Sequence, residues 1–408
     1  MMEKRKPLSG VRVIEMGNAV AGPSCGKILS DWGAEVIKVE SGKGDTWRVY
    51  GRIVNVPCTA EENPLFDMFN GGKKCVSIDL NSDAGRAVMD RLVSGSDVLL
   101  TSFREKAMIK QGLGYEALHK KYPRLIYAIL TGYGDEGPKK DDPGYDLVAF
   151  WGITGFLTDQ GIATPGSYPI LPPGGIGDIT AGSMLYGAIV SALYAREKTG
   201  EGDRVTVSLY GAALHVMSVI ATVTQDRFKA PYPRTRQQTT PYMNPYKCAD
   251  GEWLQISIMD YAKDFKNFMN IVGLHEYAED PRFATVAGCR ENRVELIERL
   301  EEQFLKKDSA EWSKQLSEVG IVNDRLGHYR EIQHSEQAWA NGYAVEHTSP
   351  NGAKCMIIRP AIKADSVDSA APQVAGVVGK DTSDVLSGLG YSQSEIDALI
   401  KSGAVKQG

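Results

Sequence analysis

Asp178 is the residue of this chain whose surroundings best suit chemistry. It closes the run Pro172-Pro173-Gly174-Gly175-Ile176-Gly177 and opens a long apolar stretch. Glycines let a backbone approach a ligand and turn N–H groups toward an oxyanion. Asp is also a preferred helix N-cap, and on pattern alone capping is the favoured reading. The chemical reading is that a helix N-terminus keeps a carboxylate ionised, and an ionised carboxylate beside an apolar helix is a nucleophile.

Two other loops compete for attention. Gly17-Asn18-Ala19-Val20-Ala21-Gly22-Pro23 occupies the place where an α/β sheet binds phosphate, and Glu40 stands where a dinucleotide enzyme holds a ribose. The loop lacks GxGxxG and Pro23 removes one amide donor, so an ordinary first βα unit explains it as well. Thr131 to Pro138 and Asp142-Pro143-Gly144-Tyr145-Asp146 are rich in Gly and Pro and follow a strand. They fit a ligand-bearing loop or a plain turn. Lys38, Lys73, Lys74, Arg104, Lys106 and Lys110 lie near strand ends. Each reads as solvated surface, and together they could receive phosphates. His215 reads as core, and His328, His334 and His347 have no telling spacing.

The elements around these residues alternate strand and helix. Val11–Glu15, Val36–Glu40, Val76–Leu80, Asp97–Leu100 and Leu125–Leu130 read as strands, with helices at Ser24–Trp32, Ala84–Ser94 and Tyr115–Lys121 between them. That order predicts a doubly wound, mostly parallel α/β sheet. A buried helix is expected from Ile179 to about Arg196, with Asp178 as its cap, and a strand at Arg204–Leu209. Composition shifts near Ala230-Pro231-Tyr232-Pro233-Arg234, which places a domain boundary there. Strand Trp253–Ile258 and helices Leu296–Leu305 and Trp312–Val319 follow, then a mixed tail from Asn323 with a last helix at Gln393–Ser402.

Composition narrows the function classes. The 408 residues suggest about two domains, and 42% hydrophobic with 24% charged residues is ordinary for a globular protein. A net charge of −5 argues against a general nucleic-acid binder. No apolar h-region follows the charged start, and no apolar run reaches the roughly 18 residues of a membrane span, so neither export nor a membrane is expected. The six cysteines form no CxxC pair and the histidines no HExxH, so no metal is expected. Scattered cysteines fit a reducing cytoplasm.

Taken together, several stretches resemble the class III CoA-transferases, the family of formyl-CoA and carnitine CoA-transferases. They are Leu8 to Glu15, Ala21-Gly22-Pro23, Gly33 to Glu40, Phe69 to Lys74, Gly132-Tyr133-Gly134, Gly177-Asp178, Thr199 to Gly202 and Tyr246 to Gly251. Their order and spacing cover nearly the whole chain. Leu100 to Arg104, Lys110 to Leu113 and Glu336 to Asn341 are most similar to the 2-hydroxyacyl-CoA transferases of amino-acid-fermenting anaerobes, which act on phenyllactate and other aryl-lactates or on 2-hydroxyisocaproate and their enoyl-CoA partners.

The resemblance implies a Rossmann-like large domain built from both chain ends (1–229 and 323–408), a smaller α+β domain (230–322), and a homodimer of two chains threaded as interlocked rings. It implies Asp178 as nucleophile, acyl-CoA and a carboxylic acid as substrates, and no permanently bound cofactor. Family CoA contacts map onto Val20, Ala21, Ile78, Asp79, Leu80, Asn81, Ser102, Phe103, Lys110 and Tyr145. Val20 replaces the glutamine of formyl-CoA transferase, which points away from oxalate and formate and toward an apolar acyl chain. Thr239 to Asn244 stands where that enzyme has covering glycines, and Ser41 replaces a basic position. The rival within the superfamily is a 2-methylacyl-CoA racemase. That enzyme needs a histidine in a Gly-His-Asp segment, here Gly144-Tyr145-Asp146, so one acid/base group is missing. A binding protein without chemistry and an NAD dehydrogenase are the more distant alternatives.

Overall fold

The computed structural model describes residues 6–161, 166, 168–228, 230–365, 367 and 371–408. In chain order the strands are β1 (Arg12–Met16), β2 (Glu35–Glu40), β3 (Lys74–Ile78), β4 (Val98–Thr101), β5 (Ile126–Thr131), β6 (Arg204–Ser208), β7 (Pro245–Lys247), β8 (Trp253–Ser257), β9 (Val322–Arg325), β10 (Ala344–Thr348), β11 (Lys354–Ile358) and β12 (Val405–Lys406). Two helices matter most for the site, α1 (Ala21–Asp31) and α2 (Ile176–Thr199).

Successive residues of the central strands enter opposite cores. Val13, Val98, Leu100, Ile126, Ala128 and Leu130 go to one face, and Ile14, Leu99, Tyr127 and Ile129 to the other. Burial on both faces explains why β4 and β5 are apolar up to their closing threonines rather than alternately polar. The result is a sheet of seven strands in the order β12-β3-β2-β1-β4-β5-β6. β1 to β6 are parallel, and β12 runs antiparallel to β3 with Val405 opposite Ile78. β1 lies between β2 and β4, so the winding reverses there. The crevice outside the strand C-termini at such a switch point is where α/β sheets bind ligands.

α1 and α2 cover one face of the sheet. They pack so closely that a Cβ on Gly182 would stand 2.1 Å from Ser24 Oγ. α2 is longer than the sequence suggested, because glycines bound it: Gly175 at φ +93° and Gly200 at φ +79° turn the chain in and out. Among the described residues it is the one helix long and apolar enough to cross a membrane, with a mean hydropathy of 1.4. Ala181, Leu185 and Ile189 bury one side of it in the core.

The chain divides into two compact units. The first takes Met1–Phe156, Leu171–Thr222 and Ser335–Gly408, and the second Leu157–Ile170 and Val223–His334. The second unit thus takes 157–170 out of the expected 1–229, and the later divisions fall at 223 and 335 where 230 and 323 were expected. The later return has a simple cause: β9 pairs with β8 and keeps residues 322–334 in the second unit. That unit has a three-stranded sheet, β7-β8-β9, over an aromatic core in which Tyr246 stacks on Phe304 at 4.8 Å. In the first unit, Val385, Leu386, Ile396 and Val405 from the far end of the chain complete the second face of the large sheet.

Candidate active site

A cavity of about 650 Å³ opens at the C-terminal ends of β1, β4 and β5 in the first unit. Asn18, Ala19 and Ala21 line it after β1, Ser102 to Lys106 after β4, and Leu130 to Gly132 at the end of β5. Thr101 Oγ1 donates to Met16 O (3.0 Å) and accepts from Phe103 N–H (3.0 Å), which fixes Ser102 and Phe103 at the wall. Gly132 and Gly144 touch backbone to backbone, since a Cβ on Gly132 would lie 2.7 Å from Gly144 Cα. That contact brings Tyr145 and Asp146 to the same side, and Tyr145 lines the cavity with three quarters of its surface exposed.

Asp178 also lines this cavity, half-buried. It is not the cap of α2. Gly175 holds the N-cap position and Asp178 is the third residue of the helix. The capping is done by Asp146, at the start of a wide π-type turn (Asp146–Gly152). Asp146 Oδ2 accepts from Gly175 N–H (2.8 Å) and Oδ1 from Asp178 N–H (3.2 Å). Gly177 makes room for this arrangement, because a Cβ there would meet Asp146 Oδ1 and Phe150 Cγ at 2.3 Å each. Gly177→Ala is therefore expected to lose about 2–3 kcal/mol of stability through overpacking, measured by urea unfolding; an unchanged midpoint would show that Phe150 can yield.

The helix end accordingly does not hold Asp178 ionised, as the sequence had suggested. The N–H groups of Gly175 and of Asp178 itself donate to Asp146. Burial, with the Asp146 charge added, pushes the Asp178 carboxyl up to about 7. Near neutrality the group therefore exists both protonated and ionised. As a carboxylate it is more basic, and so more nucleophilic, than an ordinary aspartate.

The other expected contacts divide into groups. Ala21, Ser102, Phe103 and Tyr145 share the cavity with Asp178. Val20 is buried, and its Cγ1 would stand 4.0 Å from a Cβ on Gly175. Asp79 and Asn81 line a second cavity of about 500 Å³ with Ser41, Lys43 and Lys406. Ile78 points into the core, Leu80 packs partly against it, and Lys110 is exposed outside the wall of either cavity. Thr239 to Asn244 belongs to the second unit.

Of the cations read as phosphate receivers, Lys38 and Lys73 are fully buried and paired with Glu15, at 3.1 and 2.6 Å, so they are withdrawn from any ligand. Lys74 pairs with Glu35, and Lys106 with Asp141 at 2.7 Å. Arg104, Lys106 and Lys140 do line the main cavity. Asp146, Lys140, Lys43 and Lys406 were not singled out for roles in the sequence. The Pro-Gly-Tyr-Asp turn was visible, but only the fold shows its carboxylate buried against a helix end.

A sequence model of CoA-transferase family III matches residues 8–382. The chain belongs to CoA-transferase family III. Relatives align over nearly its full length. The (R)-2-hydroxy-4-methylpentanoate CoA-transferase of Clostridioides difficile is 34% identical over 98% of this chain and 99% of its own. The cinnamoyl-CoA:phenyllactate CoA-transferase of Clostridium sporogenes is 33% identical over 96% of both chains. Among solved structures, Rv3272 of Mycobacterium tuberculosis superposes with a TM-score of 0.80 at 29% identity, over 94% of this chain and 99% of that one. As a family III CoA-transferase the chain is an enzyme that acts on acyl-CoA and carboxylate substrates, and the cavities at the crest of its large sheet lie where such a fold takes its ligand.

Proposed function

We propose that this enzyme moves CoA from an enoyl-CoA to a 2-hydroxy acid, an aryl-lactate or 2-hydroxyisocaproate, with Asp178 as nucleophile. The observation that carries the reading is the half-buried Asp178 carboxyl in the wall of the switch-point cavity. The substrate class is supported by the names of the two relatives above, and by Val20, which sets an apolar group beside the Gly175 turn rather than a polar one.

In this reading the Asp178 carboxylate attacks the donor thioester carbonyl. The C–S bond breaks, CoA leaves as thiolate, and a mixed anhydride forms. The thiolate then attacks the aspartyl carbonyl, expels the donor carboxylate and leaves an aspartyl-CoA thioester. The acceptor acid attacks that thioester and forms a second anhydride. The thiolate attacks its acyl carbonyl, which gives the new acyl-CoA and restores the carboxylate. Each step trades one acyl bond for another, so no proton is gained or lost overall. Covalent storage on Asp178 replaces one difficult attack by several easier ones, and water must stay out because every intermediate hydrolyses.

The acyl end of the CoA thioester lies in the main cavity against Ala21, Ser102, Phe103 and Tyr145. Its nucleotide end lies toward Asp79 and Asn81, where Lys43 and Lys406 supply the charge that Ser41 does not. The same reading has the enzyme work as an interlocked homodimer in amino-acid fermentation in the cytoplasm. Apolar side chains left uncovered on a single chain, Leu214, Val216 and Val219, favour the dimer.

The test is to incubate the enzyme with one acyl-CoA and a panel of acids, then identify new CoA esters by mass spectrometry. New esters of aryl-lactates or 2-hydroxyisocaproate are expected. Transfer confined to oxalate, formate or short fatty acids would refute the substrate class.

A further inference from the structure

The turn that brings the chain from β1 into α1 is held in an uncommon conformation. Ala19 has φ +62°, in the left-handed region that side chains with a Cβ adopt reluctantly. Ala19 is also part of the main cavity's wall. Its N–H donates to Asp45 Oδ1 (2.9 Å), which also accepts from Trp47 N–H (2.9 Å). Asp45 Oδ2 faces Lys38 Nζ at 2.9 Å, both side chains being wholly buried. That contact is one of charge rather than an aligned hydrogen bond.

Lys38 reaches further. Its Nζ donates to Gly17 O (2.9 Å) and to Glu15 Oε1 (3.1 Å). Lys73 Nζ, on the other oxygen of Glu15 (2.6 Å), donates to Pro23 O (2.9 Å). The turn is thus gripped at Gly17, Ala19 and Pro23 by one buried cluster. On its outer side it presses on the cavity wall, since Cβ atoms on Gly17 and Gly22 would stand 3.1 and 3.3 Å from Ser102 Oγ. Burial works against the charge on Lys38, but Glu15, Asp45 and Glu40 outweigh it and hold the amine above its ordinary range.

We propose that Asp45, charged against buried Lys38, is a positioning residue for acyl-CoA binding: it holds Ala19 left-handed and so keeps the β1–α1 turn shaped as a wall of the cavity. The proposal rests on the transferase reading for the identity of the ligand. It adds a group that touches no substrate and works through Ala19. An unpaired buried charge is strongly unfavourable, so Lys38 and Asp45 enforce each other's place. The left-handed alanine persists because its surroundings over-determine it.

The test compares acyl-CoA binding by calorimetry and steady-state kinetics in Asp45→Ala, Asp45→Asn and each of these combined with Ala19→Gly. D45A removes the acceptor of the Ala19 N–H, and KM for acyl-CoA is expected to rise at least tenfold with kcat within about threefold. D45N turns an amide donor toward Lys38 Nζ, and a severalfold rise is expected. Glycine adopts φ > 0 without strain, so adding A19G restores KM to within about twofold in either background. If D45A does not fold, D45N with and without A19G gives the same comparison. An unchanged KM in D45N and D45A, or a raised KM that A19G does not restore, overturns the proposal. A wild-type enzyme that binds no acyl-CoA refutes the transferase reading instead, so the two failures are distinguishable.

Discussion

Replacing Asp178 by alanine is expected to lower kcat about a thousandfold or more, with binding of acyl-CoA largely retained. The loss is large because the residue is the proposed site of bond formation, and no other carboxyl of the cavity sits at this helix entry with its oxygens uncommitted. Single-turnover mass spectrometry should find the CoA ester of Asp178 in the wild type and none in the variant. Turnover within tenfold of wild type would remove Asp178 from the mechanism.

Stability is expected to move the other way. The carboxyl titrates near 7 in the folded chain, against an ordinary value of 3.8. Between those values the folded chain keeps a proton that the unfolded chain has released, so stability falls as pH rises from about 4 to 7 and stays reduced above. Asp178→Asn carries no such charge. It should be more stable than wild type at pH 8, on the order of 2 kcal/mol, with the difference gone below pH 4. An Asn variant less stable at pH 8 would contradict the burial of this charge. Such a gain on removing a functional group is the expected mark of a site shaped for activity rather than for stability.

Asp146 carries the second large effect. It accepts two N–H groups at the entrance of α2 and places a negative charge beside Asp178. Asp146→Ala leaves both N–H groups without their acceptor, and should cost about 2–4 kcal/mol in urea unfolding. Asp146→Asn keeps much of the shape and removes the charge. In the wild type, kcat/KM should fall roughly tenfold from pH 8 to pH 6 as Asp178 gains its proton. In D146N that acid limb should move to lower pH, because a neutral neighbour no longer opposes ionisation of Asp178. A limb that stays in place would show that burial alone sets the titration of Asp178.

Much of the fold could be read in the residues themselves. Strands such as Val98–Thr101 and Ile126–Thr131 are apolar up to their closing threonines because both of their faces are buried, and runs of that kind separated by helices leave few topologies. The site was legible in part. The glycines before Asp178 marked a special entry to a helix, but capping fell to Asp146, 32 positions upstream, and local pattern does not encode a partner at that distance. Lys38 and Lys73 misled for the same reason. A lysine near a strand end looks solvated until the fold shows Glu15 sharing its two oxygens between them. Tyr145 was informative because the type of its side chain, not its position, separates two chemistries.

The antiparallel pairing of β12 with β3 also constrains how the protein is made. Val405 and Lys406 register with Ile78 and Ser77 across more than three hundred residues, and Lys406 lines the second cavity. During synthesis the edge of β3 therefore waits for β12 until more than three hundred further residues have been translated, and an unpaired edge can recruit other chains. Asp381 and Thr382 accept from the N–H groups of Cys75 and Ser77 along that edge, and residues 405–406, emerging later, complete both the edge and the second cavity. A nascent chain stalled short of that point would carry an intact Asp178 and an unfinished site.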